Sequence, residues 1–545
     1  MTKQIKKKTV KKKTTKKKTI SKKALIVKKY ATLCQSLRGY PTMQEFKDAS
    51  GITKDMVAHH HGSLGRLKIT ARKRFPDKFK HILDDSIFNP RALASLRTKI
   101  KNTKRFVVTT AVTGCPADNN FLASIKNYCN INDAKLLILL ASDPARPYDK
   151  DGFFVDPAIQ DCLVVDDVSL NSNIHLNTVK LSAKHIDPIT SLDRIGHRDG
   201  GFIYASPKQR LQYVATHDQH THAVMTTGAI TVPDYTTEMY MSRRTAVIAT
   251  HDHVMGAIIV EVVDNKVYHF RQIQADKDGN FVDLGKQYFP DTVINYAPAA
   301  FILGDWHSGS TDPVVSDCWK DIAKTLKPDK IVVHDLADHL SINHHEDNNC
   351  ILRANRAEAG ELNLEEETKG VVNDINMLSA LTDELVIVKS NHDEFLDRYL
   401  KRGDFPKDPL NARFAAKIFL EYLDKKDPLR AACELVGGIK KPDKIRWLKR
   451  DDNFSIARVF LGAHGDLGAN GARGSIRTME KAYGQCVFGH SHSPQILRGA
   501  WCVGTSTYLK LEYNRGASSW MHTACLLYPN GSRQLINVIN GQWRL

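Results

Sequence analysis

The sequence predicts a multidomain α/β protein, with an N-terminal helix-turn-helix, a middle α/β domain and a C-terminal α/β sandwich. Three observations predict it. A chain of 545 residues is too long for one hydrophobic core, which implies about three or four domains. Residues 24–85 carry apolar positions at helical spacing with clear start and stop signals. From 296 onwards, five short apolar runs each end in a glycine or polar cluster, the pattern of buried strands.

The chain opens on a lysine-rich tail, residues 1–23. Residues 1–29 hold fourteen lysines and no acidic residue, leaving about +4 of the net +18 for the rest of the chain. The unit K-K-K-T recurs at Lys6, Lys11 and Lys16. Such a run buries too little apolar surface to offset its ordering entropy, so it is expected to be disordered in isolation. It reads either as an anchor that releases counterions from nucleic-acid phosphates or as a solubilising tail, and its position beside the next segment favours nucleic acid.

In the segment 24–85, Ala24, Leu25, Val27, Ala31, Leu33, Cys34 and Leu37 line one helical face, which Arg38-Gly39-Tyr40-Pro41 ends. Thr42 and Glu45 make a capping box for a second helix, Gly51 supplies a turn, and Thr53 caps a third helix with Met56 and Val57 inward. In a helix-turn-helix the helix after the turn enters the major groove. Here it would present Lys54, Asp55, His59, His60 and His61, followed by Arg66, Lys68, Arg72, Lys73 and Arg74. Lys54, His59, His60 and Arg66 are the candidate DNA contacts; a small helical bundle for protein contact is the other reading.

Residues 86–104 read as a helical linker. The segment 105–295 shows strand-like runs at Phe106 to Thr110, Leu136 to Leu140 and Ala257 to Val263, and a helix from Asn120 to Cys129. This predicts an α/β domain without a legible reaction. Its histidines His217, His220, His222, His251 and His253 could form another site, but strand alternation places histidines on a solvated face as naturally.

The C-terminal segment 296–545 is the most informative. Its apolar runs, Ala299 to Leu303, Ile331 to Val333, Leu385 to Val388, Val459 to Leu461 and Cys486 to Phe488, each precede a polar motif. The motifs are GDWH with Asp305 and His307, HDLAD with Asp335 and Asp338, SNHDE with Asn391 and His392, GAHGD with His464, and GHSHS with His490 and His492. Ligands in α/β folds gather just past the carboxyl ends of strands, so five strand ends would deliver these groups to one rim. Carboxylate, amide and imidazole donors suit Mn, Fe or Zn better than Ca or Mg, and no thiolate is present to favour a closed structural zinc site. A carboxylate such as Asp335 can bridge two cations about 3.5–4 Å apart, which also acidify a bridging water into a nucleophile.

The order D-x-H, D-x-x-D, N-H-D/E, H and G-H-x-H resembles the calcineurin-like metallophosphoesterase family. The resemblance implies that Asp305, His307, Asp335 and His492 hold one metal and that Asp335, Asn391, His464 and His490 hold the other. It also implies that His392 protonates the leaving oxygen or stabilises the transition state, and that Asp338 matches the carboxylate that orients this histidine in the phosphatase branch. Two departures stand out: His334 precedes Asp335 and Ser390 precedes Asn391, where the family usually has glycine. His344 and His345 read as a polar loop near the mouth. Arg473, in the glycine-rich run from Gly462 to Gly474, is the candidate substrate arginine. Phe414, Ile418, Phe419 and Tyr422 form a helical stripe that reads as core.

The order of parts along the whole chain resembles the pre-early DNA-degradation proteins of large lytic tailed phages. That implies Mn-dependent breakdown of host DNA in the cytoplasm of an infected bacterium, and a homo-oligomer. No apolar stretch approaches the roughly 18 residues of a membrane span, and the basic start lacks a secretory h-region. Ten scattered cysteines without a C-x-x-C pair read as cytosolic thiols. The reading is therefore a metal-dependent DNase with two divalent ions, DNA as partner and no membrane. A protein or nucleotide phosphatase recruited to DNA, or a DNA-binding regulator with a non-catalytic phosphoesterase fold, stays open.

Overall fold

The computed structural model describes residues 21–83, 90–142, 153–195, 200–217, 222–235, 243–511 and 514–545. Most of the lysine-rich tail (1–20) and His220 lie outside the described residues. The fold is mixed α/β and divides into two units, one holding the described residues up to 83 with 153–157, the other the remainder.

The first unit is built on four helices, Lys22–Ser36, Met43–Ser50, Lys54–His61 and Leu64–Arg74. The capping box forms as read: Glu45 N–H donates to Thr42 Oγ1 at 3.2 Å, and Thr42 N–H donates to the Glu45 carboxylate at 2.7 Å. Gly51 then adopts φ +71°, which reverses the chain after Ser50 without Cβ strain. Tyr30 and Phe46 pack edge to face at 5.0 Å inside a core with Val27, Ile52, Val57 and Leu67. The inward face of Lys54–His61 runs through Val57 and His61, so Met56, expected inward, is 37% exposed. A strand at Ile82–Leu83 pairs antiparallel with Phe153–Phe154, so this unit takes a return segment from beyond residue 150.

In the second unit the segments read as 105–295 and 296–545 share one sheet. Among the described residues its ten strands run in the order Ser455–Ile456, Val459–Phe460, Cys486–Phe488, Ala500–Cys502, Gln495–Leu497, Gln209–Val214, His222–Thr227, Gly201–Tyr204, Ile174–Asn177 and Val168–Asn171. The seam is the antiparallel pairing of Ile496 with Leu211. A six-stranded sheet has the order Ile445–Trp447, Glu384–Ile387, Lys330–Val333, Ala300–Ile302, Thr523–Leu527 and Arg533–Asn537. Alternation along its strands sorts two interfaces. Ile302, Val332 and Val386 face a core shared with Val487, Ile496 and Trp501 of the larger sheet. Phe301, Ile331 and Leu385 face Trp319, Ile322, Val371 and Ile375 of helices Pro313–Leu326 and Leu364–Ser379. Both faces are buried, which is why these strands read as continuous apolar runs.

A third sheet orders Tyr268–Gln274, Gly256–Val262, Arg105–Val112 and Ala134–Ala141. The expected linker holds helix Pro90–Lys101, whose Leu96 and Ile100 are buried in the same core; it packs rather than spans. Among the described residues no helix is long and apolar enough to cross a membrane, and all ten cysteines are free thiols.

A buried ion cluster ties the third sheet to the end of the chain. Arg271, 1% exposed, donates to Glu261 at 2.9 and 3.3 Å and to Asp283 at 2.7 and 3.1 Å, while Leu545 N–H reaches Glu261 at 3.1 Å. Burial alone would raise the Glu261 carboxyl, but the Arg271 guanidinium outweighs it and holds the pKa at about 2, below the ordinary 4.5. A depressed carboxylate stabilises the fold above its unfolded pKa and loses that contribution as pH falls through the folded value. The pair contributes about 3 kcal/mol at neutral pH. Urea midpoints of the wild type and Glu261→Gln are therefore expected to differ at pH 7 and to converge as pH falls from about 4.5 towards 2.

Candidate metal centre

Strand polarity gathers the expected ligands. Ala300–Ile302, Lys330–Val333 and Glu384–Ile387 run parallel, so the residues past their carboxyl ends share a rim. There stand Asp305 and His307, Asp335 and Asp338, and Asn391 and His392. Val459–Phe460 and Cys486–Phe488 are parallel neighbours in the larger sheet and lead into His464 and into His490 and His492.

The side chains meet across the gap between the sheets. His492 Nε2 lies 3.0 Å from Asp305 Oδ2, and His464 Nε2 lies 3.1 Å from Asp335 Oδ2. His307 Nε2 is 3.5 Å from Asp335 Oδ2 and 3.3 Å from His492 Nε2. His490 Nδ1 is 3.2 Å from Asn391 Oδ1, and the His464 and His490 rings are 5.2 Å apart. Backbone N–H groups complete the cradle: His490 donates to Asp305 at 2.8 Å and His392 to Asp335 at 3.3 Å. All seven expected ligands thus join one contact network. Within it Asp305, His307, Asp335 and His492 are buried and offer ligand atoms within 4.8 Å of one another.

Asp338 serves two histidines. Its Oδ1 is 3.1 Å from His307 Nδ1 and 3.0 Å from His392 Nδ1, and its Oδ2 accepts from Ser310 Oγ at 2.8 Å. Each imidazole then donates through Nδ1, leaving Nε2 for other work. A carboxylate behind a ligating histidine fixes its tautomer and raises its basicity. Burial would lower His307, but Asp338 outweighs it and raises the pKa to about 9. His464 rises to about 9 in the same way, Asp335 outweighing burial. Burial pushes the Asp335 carboxyl up, but His464, His392 and His307 together hold it well below the carboxylate range. Two buried aspartates here demand positive charge.

The residues fit a cation. Among the described residues Asp305 Oδ1, His492 Nδ1 and His464 Nδ1 are buried without a hydrogen-bond partner. Each such orphan costs about 1–3 kcal/mol, and a cation offsets several at once. His307, Asp335, His490 and His492 have φ of +49°, +44°, +73° and +55°, a region that non-glycine residues seldom adopt. Strain of this kind costs on the order of 1–3 kcal/mol per residue and clusters at functional sites. Gly489 is required as glycine: a Cβ there would meet Asp305 Oδ1 at 2.1 Å.

Several residues in and around these motifs position the loops, a role the motif pattern does not assign them. Asp393, fully buried, accepts from Ala337 N–H at 3.1 Å and from Ser390 N–H at 3.1 Å, clamping the Asp335 loop to the Asn391 loop. Ser390 Oγ donates to the same carboxylate, which gives the serine a use where glycine was expected. Arg450 donates to Glu394 at 3.0 Å and to Asp466 at 2.6 and 3.0 Å, joining the segments of His392 and His464. His334 is fully buried, and among the described residues neither ring nitrogen has a hydrogen-bond partner. The structure gives no account of it beyond packing 5.7 Å from the His464 ring.

Other expected residues stand apart. Arg473 is exposed, and no hydrogen bond or ion pair joins its side chain to the ligands. His253 spends both nitrogens on Thr231 and Tyr235, His251 is exposed beside Asp252, and with His217 and His222 they make no described cluster of three ligands. In the N-terminal unit Lys54, His59 and Arg66 are exposed and His60 partly so. His61, expected on the same surface, is buried with Nε2 3.3 Å from Lys23 O, because it shares the Val57 face one turn on.

The chain is similar to Protein A1 of Escherichia phage T5. Identity is 27% over 481 residues, covering 82% of this chain and 84% of that protein. The aligned length exceeds residues 296–545, so the similarity extends beyond the segment carrying the ligands. No family model matches the chain, and no solved structure matches it.

Proposed function

We propose that the chain is a metal-dependent phosphodiesterase that cleaves DNA. One observation carries the proposal: buried Asp305, His307, Asp335 and His492 bring ligand atoms within 4.8 Å of one another, with Asp305 Oδ1 and His492 Nδ1 lacking a hydrogen-bond partner among the described residues, beside a histidine that Asp338 orients. Asp305, His307, Asp335 and His492 would hold one divalent ion, and Asp335, Asn391, His464 and His490 a second. Two ions, with Mn suited to the mixed donor set, would supply Lewis acidity towards the phosphoryl oxygens and a water acidic enough to attack at neutral pH. The protein does the rest. Asp338 holds His392 through Nδ1, so that the imidazolium form would give its Nε2 proton to the departing oxygen. Asp393 and Arg450 hold the loops in register.

DNA as substrate rests on the helix-turn-helix arrangement of the N-terminal unit and on the lysine-rich start. Tethering of this kind raises the local concentration of phosphodiester bonds. Similarity to a phage protein supports a setting inside an infected bacterium, and we extend the proposal to host DNA as the substrate and to a homo-oligomer. Purified protein with Mn is expected to degrade plasmid, linear duplex or single-stranded DNA and to stop on chelation. Turnover of a phosphomonoester alone would replace this reading by a phosphatase recruited to DNA, and DNA binding without any turnover would leave a regulator.

A further inference from the structure

Beside His392 lies a wall of rings whose outer member is an unmatched cation. Phe395, on helix Glu394–Arg402, stacks on His392 at 4.6 Å and 29°, while His307 meets His392 edge-on at 4.5 Å. The imidazole is therefore clamped on two sides, and a departing group must pass along what remains open. The rim of Phe395 is covered by His344 at 4.9 Å and His345 at 5.7 Å, with the Arg398 guanidinium 5.7 Å from the ring centre.

Arg398 differs from the cations around it. Lys389 pairs with Asp397 and Asp427, Arg356 with Glu346, Arg402 with Asp347 and Arg450 with Glu394. Among the described residues Arg398 has no carboxylate within ion-pair distance; its Nη1 donates to His344 Nε2 at 3.0 Å. An arginine has no acceptor, so His344 must present a lone pair at Nε2 and carry its proton on Nδ1. A neutral imidazole thus aims the guanidinium without cancelling its charge. Arg398 is exposed, and so is His345, whose ring lies 4.0 Å from that of His344. A pre-aimed guanidinium beside an exposed aromatic face matches one nucleotide: the fork takes a phosphate and the ring takes a base.

We infer that Arg398 and His345 form the subsite for the nucleotide on the leaving-group side, Arg398 taking the phosphate next to the scissile one. The inference rests on the phosphodiesterase reading, because it places the subsite by the proton donor His392. It makes Arg398 a binding residue for a DNA strand and assigns it no part in the chemistry of a small diester.

The test compares two substrates with Mn: a short single-stranded oligonucleotide, and bis(p-nitrophenyl) phosphate, which has no neighbouring phosphate. In Arg398→Ala the ratio of kcat/KM for the oligonucleotide to that for the small diester is expected to fall roughly ten-fold, as one lost charge-assisted contact implies. The fall should lie in KM, the salt dependence should weaken by about one counterion, and Arg398→Lys should recover part of the ratio. An unchanged ratio, or an equal fall on both substrates, overturns the subsite while leaving the hydrolase intact. A wild-type chain that hydrolyses neither substrate overturns the hydrolase reading and the subsite with it.

Discussion

Asp335→Asn is expected to abolish hydrolysis and to strip the centre of metal while leaving the chain folded. Asp335 is the shared member of both proposed ligand sets, 1% exposed, with His464 at 3.1 Å, His307 at 3.5 Å and the His392 N–H at 3.3 Å. Asparagine keeps the shape but removes the charge that balances His307 and His464. An amide also bridges two cations poorly, so both proposed positions weaken together. Losing several kcal/mol of transition-state charge stabilisation corresponds to a rate loss on the order of a thousand-fold or more. Folding should survive, because the loop is also held by Asp393 and by the backbone bonds of Trp306 and His307 to His334 and Asp335 carbonyls at 3.0 and 2.7 Å. The measurements are Mn stoichiometry by elemental analysis, kcat on DNA, and the thermal unfolding midpoint. A variant with full metal content and near-native turnover would remove the dinuclear reading.

Much of the strand framework around these residues was legible in the sequence because its supports are local. A buried parallel strand announces itself as a short apolar run, and Ala300–Ile302, Lys330–Val333, Glu384–Ile387, Val459–Phe460 and Cys486–Phe488 all fall on runs read that way. The capping box of Thr42 and Glu45 is local too, a contact over three residues. What stayed hidden depends on partners far along the chain. Nothing near Gln209–Val214 says that it pairs with Gln495–Leu497, so one continuous sheet read as two domains. Arg450 looks like one more cation in a charged stretch until Glu394 and Asp466 converge on it. Asp393 belongs to SNHDE, yet only its bond from the distant Ala337 N–H identifies it as a clamp. The error at Met56 and His61 has another origin. In an eight-residue helix a small error of phase moves whole residues across the boundary between core and solvent, and only the packing of Val57 fixes the phase.

His392→Gln is expected to slow DNA cleavage by about a hundred- to ten-thousand-fold, the range of general acid catalysis, without loss of metal. The distinction from Asp335→Asn follows from geometry. His392 is not one of the seven expected ligands, although with His307 and Asp338 it makes a second group whose ligand atoms lie within 4.8 Å of one another; its Nδ1 is 3.0 Å from Asp338 and its ring is held by Phe395 and His307. Its ring is 19% exposed, more open than His307 at 1% or His464 at 0%, as a group that meets substrate must be. Glutamine can occupy much of the same space but cannot hand over a proton, so binding should persist while departure of the sugar oxygen becomes limiting. A diester with a nitrophenolate leaving group departs without protonation. On that substrate the variant should recover to within about ten-fold of the wild type, by the Brønsted logic that ties acid catalysis to leaving-group basicity. Equal losses on DNA and on the activated diester would assign His392 to transition-state charge stabilisation instead of proton transfer. Loss of Mn from the variant would place its side chain among the ligands and overturn the division of roles between Asn391 and His392.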